Sequence, residues 1–181
     1  MDRIGVDYFR DVVRVTFDQR GSDAELVHVG HLSRLETLIL RSSTVTDAGL
    51  AHLKGLTSLQ KLELDLSGAE VTDAGLAHLS GLTSLRYLKL DLTKITDAGL
   101  AHLRGLTNLE QLGLSNTKIS DTGLARLEGL NSLWMLSLGN TEITDAGLAH
   151  LKAMPNLATL FLFGTKVTDA GLEQLRGVTK L

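Results

Sequence analysis

The chain has 181 residues, enough for one domain with a sizeable core, and 43% are hydrophobic against 22% charged. Its formal net charge of −3 lacks the basic footprint of a nucleic-acid binder. With no cysteine, disulfides, thiolate metal ligands and a cysteine nucleophile are excluded together.

The start, Met1-Asp2-Arg3-Ile4-Gly5, carries no secretory hydrophobic region, and no apolar run is long enough to span a bilayer. Together with the missing cysteines, these features favour a cytoplasmic setting. Ile4, Val6, Tyr8, Phe9 and Val12 form a short amphipathic stretch before a degenerate first strand at 13–17. Residues 1–21 are expected to cap the array, with the acidic residues among them arguing against a membrane-surface role.

From residue 22 to 181 the chain repeats itself, within one domain covering 1–181. The segment Thr46-Asp47-Ala48-Gly49-Leu50-Ala51-His52-Leu53 returns at Thr72, Thr96, Ser120, Thr144 and Thr168, at spacings of 26, 24, 24, 24 and 24 residues. A weaker copy is Ser22-Asp23-Ala24-Glu25-Leu26. Between copies lies Leu-x-x-Leu-x-Leu, beginning at Leu35, Leu59, Leu85, Leu109, Leu133 and Leu157, with a degenerate Val12-x-x-Val15-x-Phe17 at the front.

Each unit predicts strand, turn, helix and return loop. Leu88 and Leu90 alternate with Tyr87, Lys89 and Asp91, the period of two of a strand with one buried face. Thr96-Asp97 predicts a helix start, the hydroxyl capping free N–H groups and the carboxylate facing the positive end of the dipole. Leu100 and Leu103 share one helical face, and Gly105 is expected to close the helix in a left-handed conformation. One unit alone exposes its leucines, whereas stacked units bury them. Strands about 4.8 Å apart with bulkier helices behind curve the ribbon, strands inside, and the coil should be right-handed.

The run Leu-x-x-Leu-x-Leu-x-x-Thr-x-Ile-Thr-Asp-x-Gly-Leu-x-x-Leu resembles a leucine-rich repeat. It is most similar to the cysteine-containing and ribonuclease-inhibitor-like classes and to large arrays in some environmental bacteria. The resemblance covers the chain from about Val12 to Leu181. It implies an α/β solenoid shaped as a curved horseshoe, with a parallel sheet on the concave face and short helices on the convex face. It also implies protein recognition through the concave face, with inhibitor or ubiquitin-ligase adaptor roles in some members. Thr93, Thr117, Thr141 and Thr165 stand where the cysteine-containing class has cysteine and other classes asparagine, and are expected to hydrogen-bond backbone inside the turn. No F-box-like or catalytic segment accompanies the repeats.

Three recurring rows invite chemistry. His28, His52, His78, His102 and His150 occupy one helix position, interrupted by Arg126. Neighbouring imidazoles can share a metal, but these lie between inward leucines and so face solvent, with no sign of the second shell that metal sites use. Asp23, Asp47, Asp73, Asp97, Asp121, Asp145 and Asp169 suggest calcium, yet a helix-start role explains each singly, without its neighbours. Gly49 and Gly75 suggest a phosphate cradle, but no Gly-x-Gly-x-x-Gly or Walker pattern exists, and close packing between repeats explains them. With no Gly-x-Ser-x-Gly element either, the expectation is no enzyme, no catalytic or metal site, and no cofactor.

Function should sit where the repeats differ. The outward strand positions are charged and mixed in the first repeats, as in Lys61/Glu63/Asp65 and Tyr87/Lys89/Asp91. They turn small and apolar later, as in Gln111/Gly113/Ser115, Met135/Ser137/Gly139 and Thr159/Phe161/Phe163. The candidate partner-binding residues are Tyr87, Lys89, Asp91, Trp134, Met135, Phe161 and Phe163, Trp134 joining Met135 from the strand's edge. The alternative is a structural or self-associating piece of a longer array. In that reading the C-terminal end is uncapped and strand 157–163 is a pairing edge for a homodimer. Two extra residues within 66–70 account for the one 26-residue spacing and predict a bulged loop.

Overall fold

The computed structural model describes residues 11–17, 21–41, 44–65 and 70–176. The expected cap residues Ile4, Val6, Tyr8 and Phe9, most of the bulged loop and the residues after Arg176 lie outside these.

Among the described residues, seven strands form one parallel sheet in chain order: β1 (Arg14–Phe17), β2 (Thr37–Arg41), β3 (Lys61–Asp65), β4 (Tyr87–Lys89), β5 (Gln111–Gly113), β6 (Met135–Ser137) and β7 (Thr159–Phe161). Like pairs with like: Leu38, Leu62, Leu88, Leu112, Leu136 and Leu160 are successive register partners. The convex side carries α1 (Asp23–Val29), α2 (Asp47–Leu50), α3 (Asp73–Ala77), α4 (Asp121–Arg126), α5 (Leu148–Leu151) and α6 (Asp169–Glu173). Between α3 and α4 the unit has only a 3₁₀ turn, Gly99–Leu103, and α2 runs on as one at Ala51–Leu53. A 3₁₀ turn rises more per residue than an α-helix, so it spans a repeat's height with few residues. Leu100 and Leu103 are both fully buried there, so the inward face stands although the helix type differs.

The core is a continuous stack of leucines. In the repeat beginning at Leu85, the residues Leu85, Leu90, Ile95, Leu100, Leu103 and Leu106 all have no exposure. Each such side chain contributes about 1.5–3 kcal/mol of burial, set against the entropy of ordering it. The threonine positions behave as expected. Thr93, Thr117, Thr141 and Thr165 donate their hydroxyls to the carbonyls of Leu90, Leu114, Leu138 and Leu162 at 2.5–2.7 Å, satisfying backbone groups inside the coil.

The aspartate row departs from expectation. Its carboxylates act between repeats rather than singly. Asp23, Asp47, Asp73, Asp97, Asp121 and Asp145 each accept both the N–H (2.7–2.9 Å) and the hydroxyl (2.5–2.7 Å) of the Ser or Thr opening the next helical segment. Meanwhile Thr46, Thr72, Thr96 and Thr144 accept from the N–H two residues on, at 3.2–3.3 Å. One hydroxyl therefore both caps its own segment and ties it to the preceding repeat.

This geometry also explains the glycines. A Cβ on Gly75, Gly99, Gly123 or Gly147 would overlap the carboxylate of Asp47, Asp73, Asp97 or Asp121. The first repeat is the informative exception, with Glu25 at that position. There the Glu25 carboxylate itself takes the Ser22 N–H (2.9 Å) and hydroxyl, replacing from within the repeat what a preceding aspartate supplies elsewhere.

The left-handed helix closure expected at Gly105 does not occur. Arg104 ends the turn at φ −55° and ψ −33°, and Leu106 N–H bonds Leu103 C=O at 2.9 Å, so the chain simply tightens into another turn. One repeat on, the equivalent Gly129 does take the left-handed conformation (φ 97°); the other left-handed positions lie just beyond β4 to β7, at Leu92 (φ 63°), Asn116 (φ 58°), Asn140 (φ 54°) and Gly164 (φ 67°).

Candidate functional site

Alternation in β4 to β7 sends leucines into the core and leaves Tyr87, Lys89, Gln111, Gly113, Met135, Ser137 and Phe161 on the concave surface. Because Gly113 has no side chain and Ser137 a short one, a hollow of about 160 Å³ opens in the middle of the sheet. It is lined by Tyr87, Lys89 and Asp91 on one side and Met135 and Phe161 on the other, five of the seven candidate residues.

Each wall has its own chemistry. On the polar side the Lys61 ammonium lies 4.5 Å from the centre of the Tyr87 ring and 3.2 Å from the Glu63 carboxylate. Burial pushes the Tyr87 phenol above its ordinary pKa, and the Glu63 and Asp91 carboxylates add to this, so it stays a neutral donor. Asp91 is held in place, accepting the Ser115 N–H at 2.6 Å. A Cβ on Gly113 would come within 2.9 Å of an Asp91 oxygen, so glycine there both clears the hollow's floor and admits the carboxylate. Beneath, the Ser115 and Ser137 hydroxyls meet at 2.6 Å, and Ser115 accepts the Gly139 N–H at 3.1 Å. On the apolar side Phe161 is 44% exposed, far more than a core aromatic.

The remaining two candidates lie elsewhere. Phe163, also exposed, packs its ring against the bare backbone of Gly139 rather than lining the hollow. Trp134 belongs to a separate recess of about 490 Å³ with Glu110, Ser132, Asn156 and Ala158. The reason is strand alternation: Trp134 precedes β6, where its N–H bonds Glu110 C=O at 2.9 Å, and successive side chains diverge. Gln111, Gly113 and Ser137 were among the outward positions in the sequence but not among the candidates. For Gly113 and Ser137 the signal is small size, since an absent side chain is what makes the hollow; Gln111 carries no such mark.

The histidine row faces solvent or lies half-buried on the convex side, and His150 Nδ1 sits 2.8 Å from the Glu128 carboxylate. Among the described residues no three or more potential metal ligands gather. No helix among them is long and apolar enough to cross a membrane.

Known proteins agree with this architecture. The family model described as Leucine Rich repeat matches at 57–80, 81–103 and 105–127. An internalin (inlF) of Listeria monocytogenes superposes with a TM-score of 0.65 at 25% identity, covering 84% of this chain and 48% of its own. The chain thus spans about half that protein's length. Internalin C2 of the same species superposes with a TM-score of 0.68 at 26% identity, covering 96% of this chain and 80% of its own. No curated protein shows significant sequence similarity. Three consecutive repeat matches fall on units whose leucines, threonines and strands stack in one register, and the chain carries leucine-rich repeats folded as a leucine-rich-repeat solenoid.

Proposed function

We propose that the chain is a non-catalytic protein-binding module that takes its partner on the concave face of the sheet. One observation carries this reading: Tyr87, Lys89, Asp91, Met135 and Phe161, contributed by different repeats, line a single hollow. Exposed Met and aromatic side chains around a concavity are the usual anchors of protein recognition. Leucine-rich-repeat proteins are typically binding modules, and internalin-like neighbours support the same class. The net charge and the lack of cysteine favour a protein over a nucleic acid as partner and a reducing, cytoplasmic setting. A photo-crosslinking side chain in place of Met135 should attach to the partner in a cell extract, and one in place of Ala101 on the convex side should not. The reverse pattern overturns the reading.

A second reading is end-to-end self-association through the last repeat. Leu160 and Leu162 are only partly buried there, while Leu136 and Leu138 in the repeat before are fully buried; Phe161, Phe163 and Leu172 are exposed. Light scattering that gives a monomer at micromolar concentration counts against it.

A further inference from the structure

Resting on the concave-face reading, we propose the chemistry of what enters the hollow: one large aliphatic or aromatic side chain of a protein segment, with a neighbouring aspartate or glutamate of that segment paired to Lys89.

Size and lining select the first element. A hollow of about 160 Å³ suits a single bulky side chain rather than a whole secondary-structure element. Its far wall is the Met135 thioether and the Phe161 ring, both adaptable apolar surfaces. Its floor is the backbone of Gly113, which admits a guest deeper than any other repeat would: the equivalent position holds Thr16, Ile39, Glu63, Lys89, Ser137 or Phe161.

The unspent polar groups select the second. Among the described side chains, two carboxylates stand nearby, and both are engaged. Glu63, the cross-strand partner of Lys89, pairs with Lys61 at 3.2 Å, and Asp91 holds the Ser115 N–H at 2.6 Å. Lys89 has no ion pair among the described residues, and the Tyr87 hydroxyl makes no hydrogen bond among them. Both leftover groups on this wall are donors, and the phenol is kept protonated by its surroundings. Two donors beside an apolar hollow complement an acceptor that carries negative charge. A basic flank would instead meet the Lys89 charge, and the described carboxylates on this wall already have partners.

Panning a phage-displayed library of random short peptides against the full chain tests this. Enriched peptides should carry Leu, Ile, Met or Phe adjacent to Asp or Glu. Phe161→Ala should weaken such a peptide about tenfold or more. Lys89→Glu should shift the selected flanks from acidic to basic, with Lys89→Gln abolishing the preference. Both positions have solvent-accessible side chains, and an unchanged melting temperature establishes that the variants fold. Peptides that respond to Met135→Ala and Phe161→Ala but show no acidic preference overturn the inference while leaving the concave reading standing. Peptides indifferent to both alanine variants overturn the two together. A selection that enriches nothing overturns the inference.

Discussion

The Asp47 carboxylate holds Thr72 of the next repeat twice, accepting its N–H at 2.8 Å and its hydroxyl at 2.6 Å. The same pair of bonds recurs from Asp23 to Asp145, so the convex side is laced by charge-assisted bonds where the helical segments are too short to be stable alone. Breaking one rung tests its worth. Asp73→Asn keeps the shape, but an amide nitrogen cannot accept the Thr96 hydroxyl. Thermal melts should show a loss of about 1–3 kcal/mol. A change within a few tenths would mean the ladder is ornamental.

Acid should loosen the same ladder. Burial alone would raise the Asp97 pKa. The Ser120 hydroxyl and N–H, the Thr122 hydroxyl and nearby Arg126 outweigh it and hold the carboxyl below its ordinary value. The Thr168 N–H and hydroxyl lower Asp145, and Ser22 lowers Glu25. Groups depressed in the folded state stabilise it fully above the unfolded carboxylate value. They lose that contribution as pH falls through the lower folded value. The melting temperature should hold between about pH 7 and 5 and decline below about pH 4. A melting temperature that rises on acidification through this range would contradict the assignment.

Two glycine replacements should differ in sign. Gly75→Ala drives a Cβ into the Asp47 carboxylate, and should destabilise by about 1–3 kcal/mol. Gly81→Ala meets nothing within 4 Å and has no left-handed backbone to strain. It should be neutral or stabilising by up to about 1 kcal/mol, through the unfolded chain. Paired chemical denaturation decides, and equal effects would show that Gly75 is not set by the rung.

Leu92 is a misfit that can be repaired. It sits at φ 63° and is 47% exposed, at the position where Asn116 and Asn140 follow, and the Asn140 amide donates to the Asn116 oxygen at 3.0 Å. A left-handed backbone costs a branched residue roughly 1–2 kcal/mol. Leu92→Asn relieves that cost and extends the asparagine row. Its melting temperature should rise, and a fall would show that Leu92 is held by contacts of its own.

Millimolar EDTA should leave the melting temperature unchanged, because the histidine row is set apart on the convex side and His150 is occupied by Glu128. A fall of several degrees would place a structural metal there.

Period and spacing by themselves determined the solenoid. Leucines recurring at fixed intervals have one way to be buried together, so strand order, inward face and threonine turn were all legible from residues such as Leu88, Leu90 and Thr93. Five of the seven candidate residues were legible in the same way, because strand alternation sends Tyr87, Lys89, Met135 and Phe161 to one surface, with Asp91 at its edge. What only the tertiary structure decided depends on atoms about 24 residues apart in the chain. It assigned Asp47 to Thr72 rather than to its own helix, and it showed Gly75 to be small because Asp47 lies on it. It also made a hollow out of Gly113, and sent Trp134 to a different recess from Met135. A repeat announces which positions are alike. Which repeat's atom fills the space beside each one is a property of the stack, and no single unit contains it.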